Sequence, residues 1–103
     1  MNNASNVNDV IEVYVLDSFA LIAHLEDEAR GVKVTKILKK AQQLKIIEAD
    51  MDLTLKAAKL KSKYPVAYAD CFAASLAVKK DAKVITGDPE FREMEDEVKV
   101  EWI

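Results

Sequence analysis

The chain has little of what punctuates or staples a fold. Among 103 residues there are two glycines, two prolines and one cysteine. So few turn formers argue against a disordered chain and against a turn-rich all-β fold. A lone Cys71 excludes an internal disulfide framework and a cysteine-based zinc site, and it fits a reducing cytosol. No apolar run reaches the length of a membrane span, and no basic-then-apolar leader opens the chain. The expectation is a cytoplasmic protein without membrane contact. Strong charge of one sign is missing too: a net charge of −3 does not advertise a nucleic-acid binder.

Local charge is less even than the sum. Eight of the fifteen basic residues fall between Lys33 and Lys61. They lie mostly on two predicted helices, where a solvated face is the first explanation and attraction for phosphate the second. The acids gather elsewhere, notably in EFREMEDEVKVE near the C-terminus. Half of the residues are hydrophobic, enough for one domain with a modest core. Residues 1–9, MNNASNVND, are polar and read as a loose tail, leaving 10–103 as a single domain.

The patterning alternates strands with helices. IEVYVL (11–16) is apolar and β-branched, hence a strand, and Asp17 ends it. Ser18 can cap the short helix FALIAHLEDE. Val34, Ile37, Leu38, Ala41 and Leu44 recur at helical spacing within residues 32–44, with lysines on the other face. KIIEA (45–49) is a short strand candidate. Asp52 is placed to cap LTLKAAKLKSKY, and Pro65 breaks the pattern. ADCFAASLAVKK is an apolar, Ala-rich helix of the buried kind. AKVIT (82–86), PEFREMEDE and VKVEWI complete the order as strand, short acidic helix and strand. This predicts an α/β domain with a mainly parallel sheet of about four strands and helices on both faces, in three α/β/α layers.

Three aspartates then point to one place. Asp17 ends the first strand. Asp88 follows the AKVIT strand in VITGDPEF, where Gly87 permits a tight turn and Pro89 suits a helix start. Carboxyl ends of parallel strands share one edge of the domain, where open α/β sheets place ligands. Asp70 opens the apolar helix, where a buried charge needs partners. Each has a local explanation as a helix cap or as a complement to a helix dipole. Together they would repel one another, and the usual remedy is a hard divalent cation, Mg²⁺ or Mn²⁺. Such an ion can activate water against a phosphodiester.

VYVLDSFALIAHL, YADCFAASLA and VITGDPEF, in that order, resemble the motifs of the PIN domain family, specifically its VapC-type toxin ribonucleases. LKIIEADMDLTLKAAKLKSKYP is similar to the strand and helix that lead to the family's later motif. The resemblance runs from residue 12 to 103. It implies a PIN-like fold and identifies Asp17, Asp70 and Asp88 as metal-binding catalytic acids. Ser18 and Thr86 match the hydroxyl residues that support them. It further implies Mg²⁺- or Mn²⁺-dependent endoribonuclease action on an RNA substrate, and an antitoxin protein as a possible partner.

One family feature is missing. Members usually carry a fourth acid, a Glu on a helix between the first two Asp motifs, within a longer chain. Here KILKKAQQ passes almost directly to LKIIEAD. Glu26 and Glu28 fall at the far end of the first helix and Glu48 inside a predicted strand, so none matches. Glu90, two residues past Asp88, could contribute, but a favourable charge in a first helical turn is its more economical reading. A smaller sheet with exposed edges favours a homodimer, with exchanged elements as one form.

Other residues read as structural. His24 is packed or on the surface, Cys71 is a small core residue, and Trp102 with Ile103 anchors the last strand. Tyr64 and Tyr68 are near the proposed site. Packing is the commoner role for such rings, and stacking on RNA the alternative. Two functions follow: a metal-dependent ribonuclease, or a weakened PIN-like module acting through dimerisation or antitoxin binding. A phospho-accepting receiver domain fits poorly, because Ser18 stands where a second acid would follow Asp17.

Overall fold

The computed structural model describes residues 13–26, 29–41 and 45–103. The expected loose tail, residues 1–9, lies outside them. In chain order the elements are β1 (Tyr14–Leu16), α1 (Ser18–Leu25), α2 (Ala29–Lys40), α3 (Met51–Lys63), α4 (Tyr68–Lys79), β2 (Lys83–Thr86), a 3₁₀ helix (Pro89–Met94) and β3 (Val100–Trp102). The three strands form one parallel sheet in the order β1-β2-β3. This is the expected α/β class with a parallel sheet and flanking helices.

Period-two alternation along the strands feeds two cores. Val15, Val84, Val100 and Trp102 face one side, against α3, α4 and the 3₁₀ helix, with Phe91 and Met94 fully buried there. Tyr14, Leu16, Ile85 and Ile103 face the other side, with Ala20 of α1 and Val34, Ile37 and Leu38 of α2. The Ala-rich sequence of α4 explains its depth. Cys71, Ala74 and Ala77 are small and fully buried, so α3 and the sheet both approach it closely. Each large side chain in this core, such as Phe91, contributes on the order of 1.5–3 kcal/mol.

Several local expectations change. KIIEA (45–49) is not a strand; Ile46 is almost fully exposed, and no strand pairs with the segment among the described residues. A short apolar run carries no periodicity that separates strand from loop. Asp50, not Asp52, caps α3: its Oδ1 accepts from the Leu53 amide at 2.8 Å. Asp52 lies within the first turn and pairs with Lys56 and Lys79. Asp17, not Ser18, caps α1. The acidic segment after Pro89 forms a 3₁₀ helix that ends at Met94.

Two contacts fix the α1–α2 pair. His24 Nδ1 and Thr35 Oγ1 are hydrogen-bonded at 2.6 Å, which gives the only histidine a packing role. Gly31 lies against α1 so closely that a Cβ would stand 2.2 Å from the Ala23 carbonyl oxygen. Ala in place of a helical Gly normally stabilises by about 0.5–1 kcal/mol. Here a backbone atom blocks the methyl, and overpacking of about 1–3 kcal/mol outweighs that gain. Gly31→Ala is therefore expected to lower the urea midpoint. An unchanged or higher midpoint would show that the helices separate at no cost.

Candidate metal centre

The carboxyl edge of the sheet is built from the ends of β1 and β2. The Asp17 amide continues the ladder, donating to the Ile85 carbonyl at 3.5 Å. Asp17 Oδ1 accepts from the Ala20 amide at 2.9 Å as the α1 cap. Thr86, the last residue of β2, has no exposed surface. Its hydroxyl accepts from the Asp88 amide at 3.0 Å and hydrogen-bonds the Asp17 carboxylate. One buried hydroxyl thus serves as donor to one acid and acceptor from the backbone of another.

Gly87 lies between them for reasons of space. Its φ is not positive, so the turn needs no left-handed residue. A Cβ there would stand 2.5 Å from Phe19 Cε1 and 3.2 Å from an Arg30 guanidinium nitrogen. Asp88 then caps the 3₁₀ helix, its Oδ1 accepting from the Glu90 amide at 3.0 Å. That bond aims the chain so that Glu90 turns back toward the edge.

Asp70 enters from the first turn of α4, whose cap residue Ala67 offers no side-chain acceptor. Only 9 % of Asp70 is exposed, and its Oδ2 has no hydrogen-bond partner among the described residues. Ser75 Oγ, further along α4, shares that condition. One carboxylate oxygen from each of Asp70, Asp88 and Glu90 can lie within 4.8 Å of the others. Opposite ligands of a six-coordinate ion are about 4–5 Å apart.

Electrostatics mark the same place. Burial, then the charges of Asp88, Glu90 and Asp17, push the Asp70 carboxyl up to about 6. Burial also raises Asp17, opposed by its hydrogen bonds to Thr86 and Ala20 and reinforced by Asp88. A buried carboxylate with an unsatisfied oxygen, crowded by like charges, is costly in the ionised form. Hard oxygen donors, a net negative field and an orphaned buried oxygen together fit a hard divalent cation.

The sequence-derived residues divide accordingly. Asp70 and Asp88 belong to the close cluster. Asp17 stands beside it, close enough to act on the Asp70 charge, but outside the 4.8 Å grouping. Thr86 joins Asp17 to the Asp88 backbone. Ser18 is exposed in the first turn of α1, and its hydroxyl makes no hydrogen bond among the described residues. Glu90 is the residue that sequence reasoning discounted. Its signal was the i, i+2 spacing from Asp88, which a 3₁₀ turn converts into proximity. Glu26 ends α1, Glu48 is exposed far from the edge, and Glu28 lies outside the described residues.

The two tyrosines part ways. Tyr64 packs on the core and its hydroxyl bonds Glu97. Tyr68 is 60 % exposed, with the Lys61 ammonium 5.3 Å from its ring centroid. Cys71 is fully buried and its thiol is pushed up by that burial, as suits a core residue. A shallow cavity of about 190 Å³, lined by Ile47, Asp50, Leu53 and Lys79 among others, lies at the opposite end of α4 from the acids.

The raised Asp70 pKa sets a pH dependence. The folded state holds this proton more tightly than the unfolded chain, whose carboxyl titrates near 3.8. The associated stability is present below that value and is lost as pH rises through about 6. In EDTA, Asp70→Asn should therefore be more stable than the parent at pH 7, with the gap closing on acidification toward pH 4. A gap in Tm that stays constant over this range would contradict the shift. Mn²⁺ should raise Tm more at pH 7 than at pH 5, since the ion competes with the proton.

Comparison with known proteins gives one family. The family model described as PIN domain matches residues 29–97. That stretch contains Asp70, Asp88 and Glu90, and excludes Asp17. No curated protein and no solved structure gives a significant match to the chain.

Proposed function

The chain belongs to the PIN domain family, a nuclease superfamily, and from that premise we propose that it is a metal-dependent endoribonuclease of the VapC toxin type. In this reading Asp17, Asp70 and Asp88 hold Mg²⁺ or Mn²⁺, and Glu90 takes the place of the acid that the shortened chain lacks. The observation that carries it is the buried Asp70 oxygen without a partner, set among Asp88 and Glu90.

Each residue then has a task. Asp70, held at the helix end by the packing of α4, offers its unsatisfied oxygen to the ion. Asp88 uses one oxygen to orient the Glu90 amide and keeps the other available. Thr86 fixes Asp17 and the Asp88 backbone relative to each other, so the acids meet the ion already positioned. When bound, the divalent ion supplies a water of lowered pKa and neutralises charge on the phosphodiester. No side-chain base is then required, consistent with His24 being engaged with Thr35.

A second reading has its own support. Leu21, Ile22, Leu25 and Val32 are exposed on α1 and α2. Such a surface suits homodimerisation or the binding of an antitoxin protein, and a weakened PIN-like module could act through it alone. A cytoplasmic site of action accords with both readings.

The deciding experiment is cleavage of a generic structured RNA in Mn²⁺ or Mg²⁺, with EDTA and Asp88→Asn as controls. Cleavage that disappears in both controls is the expected result. Glu90→Gln should lose about tenfold or more in rate if it serves as a ligand. A folded, Mn²⁺-loaded protein that leaves RNA intact would shift the function to the binding module.

A further inference from the structure

Arg30, the second residue of α2, is singled out by where it lies and by what it lacks. Its guanidinium stacks on the Phe19 ring, 5.4 Å from the centroid. One of its nitrogens stands 3.2 Å from the point a Cβ on Gly87 would occupy. Gly87 is the residue between Thr86 and Asp88, so this cation lies over the loop that carries the acids. Arg30 is exposed, and every ion pair among the described residues uses a lysine instead. An arginine with no carboxylate partner among the described residues, held by a ring against the loop that leads to Asp88, is positioned for something else.

Charge balance indicates what. The carboxylates of Asp17, Asp70, Asp88 and Glu90 outnumber the charges of one divalent ion. RNA approaching this edge would meet a residual negative field unless a fixed cation lay beside it. A guanidinium offers a planar fork that matches two phosphate oxygens, and stacking on Phe19 restricts its motion before the strand arrives. The small residue at 87 leaves the ring and the guanidinium room against the loop.

We propose that Arg30, stacked on Phe19 against Gly87, binds a backbone phosphate of the RNA strand next to the acid cluster and so registers the strand on the metal centre. This rests on the nuclease reading and adds to it a phosphate contact beside the loop at Gly87. The contact is to the backbone, so it carries no base preference.

The test compares the full chain with Arg30→Ala, Arg30→Lys and Lys79→Ala. Lys79, at the far end of α4, controls for bulk charge. Anisotropy of a fluorescein-labelled oligouridylate in Ca²⁺ reads binding, cleavage in Mn²⁺ reads KM and kcat separately, and circular dichroism melts confirm folding. Arg30→Ala should weaken binding about tenfold or more, and raise KM by a like factor with kcat little changed. It should also lower the slope of log affinity against log salt by about one unit. Arg30→Lys should recover only part of the loss, and Lys79→Ala should match the parent.

The proposal falls if folded Arg30→Ala binds and cleaves like the parent, which would leave the nuclease reading intact. It falls equally if the loss appears only in kcat, or if Lys79→Ala loses as much. If the parent binds but does not cleave, the nuclease reading fails while the anisotropy series still decides Arg30. A parent that binds no RNA overturns both.

Discussion

Mutual repulsion among carboxylates at the carboxyl edge of a parallel sheet is the constraint around which this protein is arranged. Asp17, Asp88 and Glu90 all act to keep the Asp70 carboxyl in its protonated form, and burial acts in the same direction more strongly. A fold selected for stability alone would not place an acid there. An apolar residue at the first turn of α4 would relieve the repulsion and add buried surface. The surrounding structure absorbs the cost instead. The apolar face of α4 is locked by α3 and the sheet, and Phe91 and Met94 pin the segment that follows Asp88.

Thr86 shows how that cost is kept bounded. A hydroxyl is the smallest group that can donate to one carboxylate while accepting from a backbone amide. Here it does both from a position with no exposed surface. Valine at that site would fill the same space and leave the Asp88 amide and one Asp17 lone pair unsatisfied, which is the more damaging half of a broken hydrogen bond. The two core layers matter for the same reason. Ile85 packs toward α1 and α2, and Val84 toward α3 and α4, so the strand end carrying Thr86 is held from both faces.

Much of this was legible in the sequence because the signals were periodic or chemically specific. The runs around Val15 and Val84 and the Ala-rich helix all survive in the structure, and Asp70 and Asp88 lie close together. What failed depended on information that is not local. KIIEA has strand composition, but a strand exists only where a neighbour supplies hydrogen bonds. Asp50 and Asp52 are equivalent as cap candidates until the chain direction into α3 is known. Gly87 looked like a turn glycine because turns are the commonest use of glycine; the contact with Phe19, distant in sequence, is what excludes a side chain there.

Glu90 is the instructive case, because the two explanations weighed for it do not compete. Capping of the 3₁₀ helix engages the Glu90 amide and one Asp88 oxygen. It leaves the second Asp88 oxygen and the whole Glu90 carboxylate available, and the tight turn brings them toward Asp70. A favourable interaction with a short helix contributes only about 0.3–1 kcal/mol. It therefore cannot offset a buried, unpaired Asp70 oxygen with two further acids beside it. The local explanation accounts for the backbone, and the close approach of the three carboxylates is what a bound cation would compensate. The capping turn after β2 thus places a further acid, Glu90, beside Asp70 and Asp88 at this edge.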